Sequence, residues 1–168
     1  VECLDFSPKG HCFNGPHGSI GGWHVSSITS MDVLFSYSFE FIGDISRWDV
    51  SRVHVMSGMF LYAKKFDGDI SKWDVSSVIS MVRIFSSAIH FDGDISKWNV
   101  SLVDNMSDMF WRANVFNGDI SKWDVSSVNN MKNMFHTAPA FNGDISKWDV
   151  SRVDNMDGMF LGATSFNT

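Results

Sequence analysis

The sequence predicts an α/β solenoid of about six repeats, each 25 residues long and built from a strand followed by a helix. Three observations predict it: a fixed period, a strand-like alternation of apolar residues, and a helix-like apolar spacing that follows within each unit. The period is visible in one residue type, because Trp returns at positions 23, 48, 73, 98, 123 and 148. A stack in which each unit contacts only its neighbours therefore makes up one elongated domain.

The repeat boundaries follow from a recurrent Phe taken as the first residue of each unit. The modified first repeat covers 16–40 and differs from the others in its first half, and an N-terminal cap segment, 1–15, precedes it. The full repeats are 41–65, 66–90, 91–115, 116–140 and 141–165, and a partial repeat is 166–168.

The strand is predicted by Ile, Trp and Val, which recur at a spacing of three and then two, as in Ile45, Trp48 and Val50. Alternation at the last two residues is typical of a short strand with Trp and Val directed into the core.

The helix is predicted by the segment after each strand, where Ser126 and its equivalents stand at the expected N-cap. Apolar residues follow it at helical spacing, which predicts one buried face. In the repeat 116–140 they are Val128, Met131, Met134, Phe135 and Ala138.

The return loop is predicted by a Gly-Asp pair, in which Gly tolerates a positive φ and Asp caps the turn with its side chain. The glycines are Gly43, Gly68, Gly93, Gly118 and Gly143. A calcium loop is the alternative interpretation of the Asn-Gly-Asp triplets, but these lack the dense, alternating acidic ligands of such sites.

The repeated Trp, Met and Phe favour core packing over a cofactor box or a sugar-stacking platform, because they keep the period. We therefore expect no cofactor. Trp111 lies outside the Trp register and is expected to face solvent.

A partner-binding surface is predicted where the repeats differ most, on the exterior of the helix and just after it. Large residues there that the pattern does not place inside favour a contact patch. The patch consists of Trp111, Arg112, Tyr62, Leu61, Tyr37, His136 and Leu161, and neutral variation of loop residues is the alternative explanation.

A charged ladder is predicted on the concave face of the sheet, from the residues that flank the buried Trp. A solvated, self-compensating surface and a docking surface for a charged partner are the two interpretations. The pairs are Arg47 and Asp49, Lys72 and Asp74, Lys97 and Asn99, Lys122 and Asp124, and Lys147 and Asp149.

The formal net charge of −6 and the pI near 5.3 argue against nucleic acid as a partner, because phosphate binding needs a basic stripe. No apolar run approaches the roughly 18 residues of a membrane span, so none is expected in this segment. Cys3 and Cys12 predict either a disulfide that closes the N-terminal loop or two free thiols. We expect no metal site, although His11 and His17 beside Cys12 offer ligand types.

The phrases Trp73-Asp-Val-Ser-Ser-Val, Asn105-Met-Ser-Asp-Met-Phe and Phe116-Asn-Gly-Asp-Ile-Ser-Lys-Trp resemble the mycoplasma-type surface-lipoprotein repeat of unknown function. That family is grouped with BspA-like leucine-rich-repeat surface proteins. The resemblance covers about residues 16–168. It implies a leucine-rich-repeat-like right-handed coil and a cell-surface or extracellular location, and it implies no known activity.

The sequence predicts a non-enzymatic recognition or adhesion protein that binds a protein or glycan partner. The alternative is a structural subunit that self-associates head-to-tail, because nearly identical units can continue between chains. No catalytic motif appears in the sequence. An enzyme would need a pocket with convergent polar groups that the repeat does not provide.

Overall fold

The structure is a computed structural model that describes residue 4 and residues 7–12 and 18–167. The chain winds in coils of 25 residues that stack on one another, and each coil is a succession of turns. The one helix named in the described residues is a single turn of 3₁₀ helix, Ile20–Gly22. Isolated parallel bridges join equivalent residues of successive coils, and these residues are Ser30, Val55, Ser80, Asn105, Asn130 and Asn155.

The predicted α/β solenoid of strand–helix repeats, with its leucine-rich-repeat-like fold, is therefore wrong. Where strands were expected, the backbone closes turns on itself: Trp48 N–H donates to the Ile45 carbonyl at 3.1 Å, and Val53 N–H donates to the Val50 carbonyl at 2.9 Å. A strand would direct these groups sideways to a neighbouring strand. Only one residue per coil forms a bridge, so no sheet develops among the described residues.

The predicted helices are absent because two residues in every coil adopt left-handed backbone conformations. In the coil 41–65 these are Gly58 and Tyr62, with φ of 61° and 58°, whereas an α-helix needs negative φ throughout. Their N–H groups donate to the next coil, to Val82 and Ser86 carbonyls at 2.7 and 2.8 Å. The equivalent left-handed residues elsewhere are Val33, Tyr37, Arg83, Ser87, Asp108, Arg112, Asn133, Thr137, Gly158 and Gly162.

The predicted helix cap has a different role in this turn-built coil. Ser126 donates its hydroxyl to Asp124 Oδ1 at 2.6 Å, and its N–H donates to the same oxygen at 3.1 Å. The Ser side chain thus closes an Asx turn and caps no helix.

Two columns of phenyl rings form the centre of the core. One column contains Phe35, Phe60, Phe85, Phe110, Phe135 and Phe160, and the other contains Phe41, Phe66, Phe91, Phe116, Phe141 and Phe166. Rings within a column are 5.5–6.2 Å apart. Rings paired across the columns are 3.8–4.0 Å apart and nearly parallel except for the first pair, at 13°. Offset stacking of this kind adds to the burial of ring area.

The periodic Trp residues of the five full repeats are buried, as their spacing predicted, and each donates its indole N–H to an Ile carbonyl of the preceding coil. Trp23 of the first repeat is partly buried, and its indole N–H donates to the Gly18 carbonyl. Trp48 donates to Ile20 at 2.9 Å and Trp98 to Ile70 at 3.1 Å. Pairing satisfies the one polar atom of a side chain that otherwise fills the core.

The glycines of the predicted Gly-Asp turns are required for packing, and their φ values are not positive. A Cβ atom on Gly68 would lie 2.8 Å from Cε2 of Phe66, closer than carbon atoms approach. The Asp after each glycine does cap a turn, since Ser71 donates both N–H and hydroxyl to Asp69. The Ser71 hydrogen bonds hold the pKa of Asp69 below its usual value.

Residues 7–12 pack against the first full repeat, where Ile42 N–H donates to the Lys9 carbonyl at 3.1 Å. Cys12 is buried and disulfide-bonded. Cys3 lies outside the described residues, so its pairing with Cys12 stays a prediction. Cys12 cannot serve as the thiolate ligand of a metal site with His11 and His17, because its sulfur is part of a disulfide. His17 lies outside the described residues.

Replacing Gly58 with Ala is expected to reduce the free energy of unfolding by about 1 kcal/mol, because a Cβ atom disfavours left-handed φ. The new Cβ would also lie 3.1 Å from Cγ1 of Val33. Gly22→Ala is the matched control, since nothing lies within 4 Å of a Cβ there. Urea unfolding of both variants measures the difference. Equal stability of the two variants would show that the left-handed turn is not a constraint.

The lowered pKa values of the turn aspartates predict a loss of stability in acid. A carboxyl whose pKa is lower when folded stabilises the fold above its unfolded pKa, and this stabilisation is lost as pH falls through the folded value. Asp49, Asp124 and Asp149 have such pKa values, chiefly because each accepts a Ser hydroxyl and N–H. Asn99 occupies the equivalent place and accepts the same two hydrogen bonds without titrating.

The triple variant Asp49→Asn, Asp124→Asn, Asp149→Asn is therefore expected to lose less thermal stability than wild type between about pH 5 and about pH 3. Asn99→Asp is expected to lose more. Thermal unfolding followed by circular dichroism across this range measures both. The explanation fails if the three proteins show the same dependence on pH.

Candidate functional site

A groove of about 370 Å³ crosses the surface of five successive coils, at the segment where the repeats differ most. Its floor lies at Ser86, which is 1% exposed. The equivalent residues in the neighbouring coils are Leu61 and Trp111, both large. A small side chain between two large ones therefore creates the depression.

Three polar side chains from consecutive coils line one part of the groove. Arg83, Asp108 and Asn133 occupy equivalent left-handed positions, so they project side by side. Arg83 Nε donates to Asp108 Oδ2 at 3.2 Å, and Asn133 Nδ2 donates to Asp108 Oδ1 at 3.1 Å. His136 Nδ1 lies 3.2 Å from Asn133 Oδ1 and extends the network.

Aromatic rings line the rest of the groove, and neighbouring groups hold them in place. Tyr62 stacks on Tyr37 with ring centroids 5.0 Å apart and an interplanar angle of 14°. The Arg112 guanidinium carbon lies 4.3 Å from the centre of the Trp111 ring, a cation–π contact. The His136 ring meets Trp111 edge-on at 6.5 Å. Fixed rings lose little conformational entropy when they bind a ligand.

The structure brings together most of the predicted partner-binding patch. Trp111, Tyr62, Leu61, Tyr37 and His136 all line the groove. Trp111 is half-buried, so it is less exposed than expected.

The other two members of the predicted patch do not line the groove. Arg112 lies over the Trp111 ring. Leu161 is 64% exposed and lies outside the groove, although its place in the repeat is equivalent to that of Trp111.

Sequence reasoning missed Arg83, Ser86, Asp108 and Asn133. A signal was present, because Arg83, Asp108 and Asn133 replace one another at a single repeat position. That position was assigned to a helix, so its side chains were not expected to form a polar row.

The predicted charged ladder has no sheet to lie on, so its concave face does not exist as predicted. Its residues are exposed. The basic members act on the aspartate of the preceding turn: Lys72 helps to lower the pKa of Asp69, after the larger effect of the Ser71 hydrogen bonds. The neighbouring Asp149 opposes the lowering of the pKa of Asp124. These charged residues therefore act on aspartates of their own turn and of the neighbouring coil, and a docking role for them stays a prediction.

The described residues contain no group of three or more His, Cys, Asp or Glu placed to hold a metal ion. Within residues 4, 7–12 and 18–167, no helix has the length and apolar character to cross a membrane.

The fold and the groove define a protein of stacked, turn-built repeats with a surface site made by the differences between them. The chain belongs to the family described as Mycoplasma protein of unknown function, DUF285, whose model matches residues 10–113 and 91–168. The predicted membership of a mycoplasma-type repeat family is thus confirmed. No curated protein and no solved structure matches the chain.

Proposed function

We propose that this protein is a non-enzymatic recognition module that binds a partner in the groove beside Trp111. The observation that carries the proposal is the convergence of aromatic and hydrogen-bonding side chains from five coils on one depression. Sites of this composition, with fixed aromatic surface and a few placed polar groups, are typical of binding pockets.

The proposal favours binding over catalysis because of how the polar groups are engaged. Among the described residues that line the groove, Asp108 is the one carboxylate, and both of its oxygens accept hydrogen bonds from neighbours. A hydrolytic site built on paired carboxylates needs a second acid–base group of this type. A nucleophilic serine needs a base within hydrogen-bond reach. His136 Nδ1 contacts Asn133, and the hydrogen bonds of the described residues include none between His136 and Ser86.

A cell-surface or extracellular location is part of the proposal. The disulfide-bonded Cys12 supports it, because disulfides persist in oxidising compartments. A relation to BspA-like surface proteins belongs to the same proposal and rests on the repeated sequence phrases. The leucine-rich-repeat fold of that group is not carried over.

Head-to-tail assembly is the second candidate function, because the coil 141–165 presents an apolar face. Val150 is 41% exposed and Met156 is 40% exposed, whereas their equivalents Val125 and Met131 are at most 1% exposed. A further coil or a second copy of the chain would cover such a face. Association of this kind is heterologous and forms open filaments.

Sedimentation velocity over a hundredfold range of concentration tests the assembly. Growth of the sedimenting species with concentration, abolished by Val150→Lys, is expected if the face binds a second copy. A monomer at every concentration would contradict assembly.

Replacing Trp111 with Ala is expected to reduce capture of the partner at least about tenfold, because truncation of a central aromatic anchor typically costs 2 kcal/mol or more. Immobilised wild type and variant are exposed to solubilised surface material of the producing organism, and bound material is quantified. Leu161→Ala is the matched control, since it removes an apolar side chain at the equivalent place outside the groove. Equal capture by wild type and Trp111→Ala would remove the groove as the binding site.

A further inference from the structure

The ligand class of the groove follows from its charge, its hydrogen-bonding groups and its backbone, and the inference rests on the proposed function. The ionised groups among its lining residues are Arg83 and Asp108, which pair with each other. Their charges cancel within the lining, and the Arg112 guanidinium over the Trp111 ring adds one positive charge at its edge. The lining itself therefore matches a neutral ligand, and a sulfated chain tests the effect of Arg112.

The polar row consists of Arg83, Asp108, Asn133 and His136. It offers both donors and acceptors to a ligand, beyond those used in the hydrogen bonds among its own members. A guanidinium has five N–H donors, and Arg83 uses one of them on Asp108 in this network. Asn133 keeps a second amide proton, and His136 keeps its Nε2 atom for a ligand. Hydroxyl groups both donate and accept, so a polyhydroxylated ligand matches this mixed set.

The aromatic part of the groove complements the apolar faces of sugar rings. Tyr62 has one face covered by Tyr37, and Trp111 has Arg112 over its ring. Both rings still line the groove and offer apolar surface next to the polar row. A sugar presents C–H groups on one face and hydroxyls at its edge, which is the same juxtaposition of apolar and polar surface.

The groove is poorly suited to a peptide. An extended peptide binds by adding a strand to free backbone groups. Here the N–H groups of Arg83, Asp108 and Asn133 already donate to carbonyls of the following coil, at 2.8–3.0 Å. An amphipathic helix would need an apolar groove, and charged and amide side chains line part of this one.

We infer that the groove binds a neutral oligosaccharide, with sugar rings against Tyr62 and Trp111 and hydroxyls bonded to Arg83, Asp108, Asn133 and His136. The ligand is a chain and not a single sugar, because the lining residues come from five coils whose central rings repeat at 5.5–6.2 Å. The chain lies along the stacking direction of the coils.

The test titrates the protein with neutral hexasaccharides whose residues carry vicinal diols: β-1,4-glucan, β-1,4-xylan, β-1,4-mannan and α-1,6-mannan. Isothermal titration calorimetry measures binding, and a sulfated hexasaccharide serves as a charged comparison. Saturable binding of at least one neutral chain, tighter than binding of the sulfated one, is expected. No binding of any neutral chain, or preference for the sulfated one, overturns the inference.

Two variants locate the binding. Trp111→Ala and Ser86→Leu are each expected to weaken it at least about tenfold, the first by removing a ring and the second by filling the floor. Leu stands at the equivalent place in two other coils, at Leu61 and Leu161, so Ser86→Leu is compatible with the repeat. Leu161→Ala is expected to bind like wild type. Unchanged binding by both groove variants places the sugar elsewhere and overturns the inference.

A periodate arm separates failure of this inference from failure of the proposed function. Periodate cleaves the vicinal diols that 1,4-linked and 1,6-linked neutral chains of this kind carry, and it leaves the peptide backbone of a partner intact. Loss of Trp111-dependent capture after periodate treatment of the surface material supports the oligosaccharide. Trp111-dependent capture that survives periodate and is lost after protease treatment overturns the oligosaccharide and leaves the recognition function in place.

Discussion

The stacking of one coil on the next is the interaction on which the rest of this molecule depends. Phenyl rings of successive coils lie 5.5–6.2 Å apart in two columns, and alternate N–H groups beside them donate to carbonyls of the next coil. A coil by itself would leave those backbone groups unpaired and its ring faces wet, and both are unfavourable. Stability is therefore a property of neighbouring coils in contact, as in other repeat proteins.

Polar side chains on the surface also join each coil to the next. Asp67 accepts the N–H of Asp92, Asp92 accepts that of Asn117, and the series continues through Asn142. Each carboxyl or amide thus completes the backbone pairing of the following coil. The repeated short polar residues are therefore part of the stacking.

The groove forms because the core positions are nearly uniform from coil to coil whereas the surface positions vary. The core positions hold the same or a similar apolar residue in each full repeat. Ser86 lies between Leu61 and Trp111, and Arg83, Asp108 and Asn133 share one left-handed place. The site therefore exists as a difference between neighbours, aligned by a stack that is otherwise uniform.

The sequence by itself determined the period of 25 residues, the mycoplasma-type repeat family and most of the residues that face inward. Val128, Met131, Met134, Phe135 and Ala138 are all fully buried, although they were assigned to a helix. The assignment failed because successive turns return an apolar residue inward every three or four places, just as a helix does. Met134 N–H bonds the Met131 carbonyl and Ala138 N–H bonds that of Phe135, which closes turns at that spacing.

Only the tertiary structure decided between a helix and a succession of turns, because the choice depends on which carbonyls accept the alternate N–H groups. Asn133 N–H donates to the Asp157 carbonyl of the next coil at 2.8 Å, and the residue takes a φ of 54° to do so. No local pattern in the sequence specifies a partner 24 residues away. Arg83, Asp108 and Asn133 in the groove occupy these left-handed positions. The sequence therefore did not predict this part of the site, for the same physical reason that it did not predict the fold.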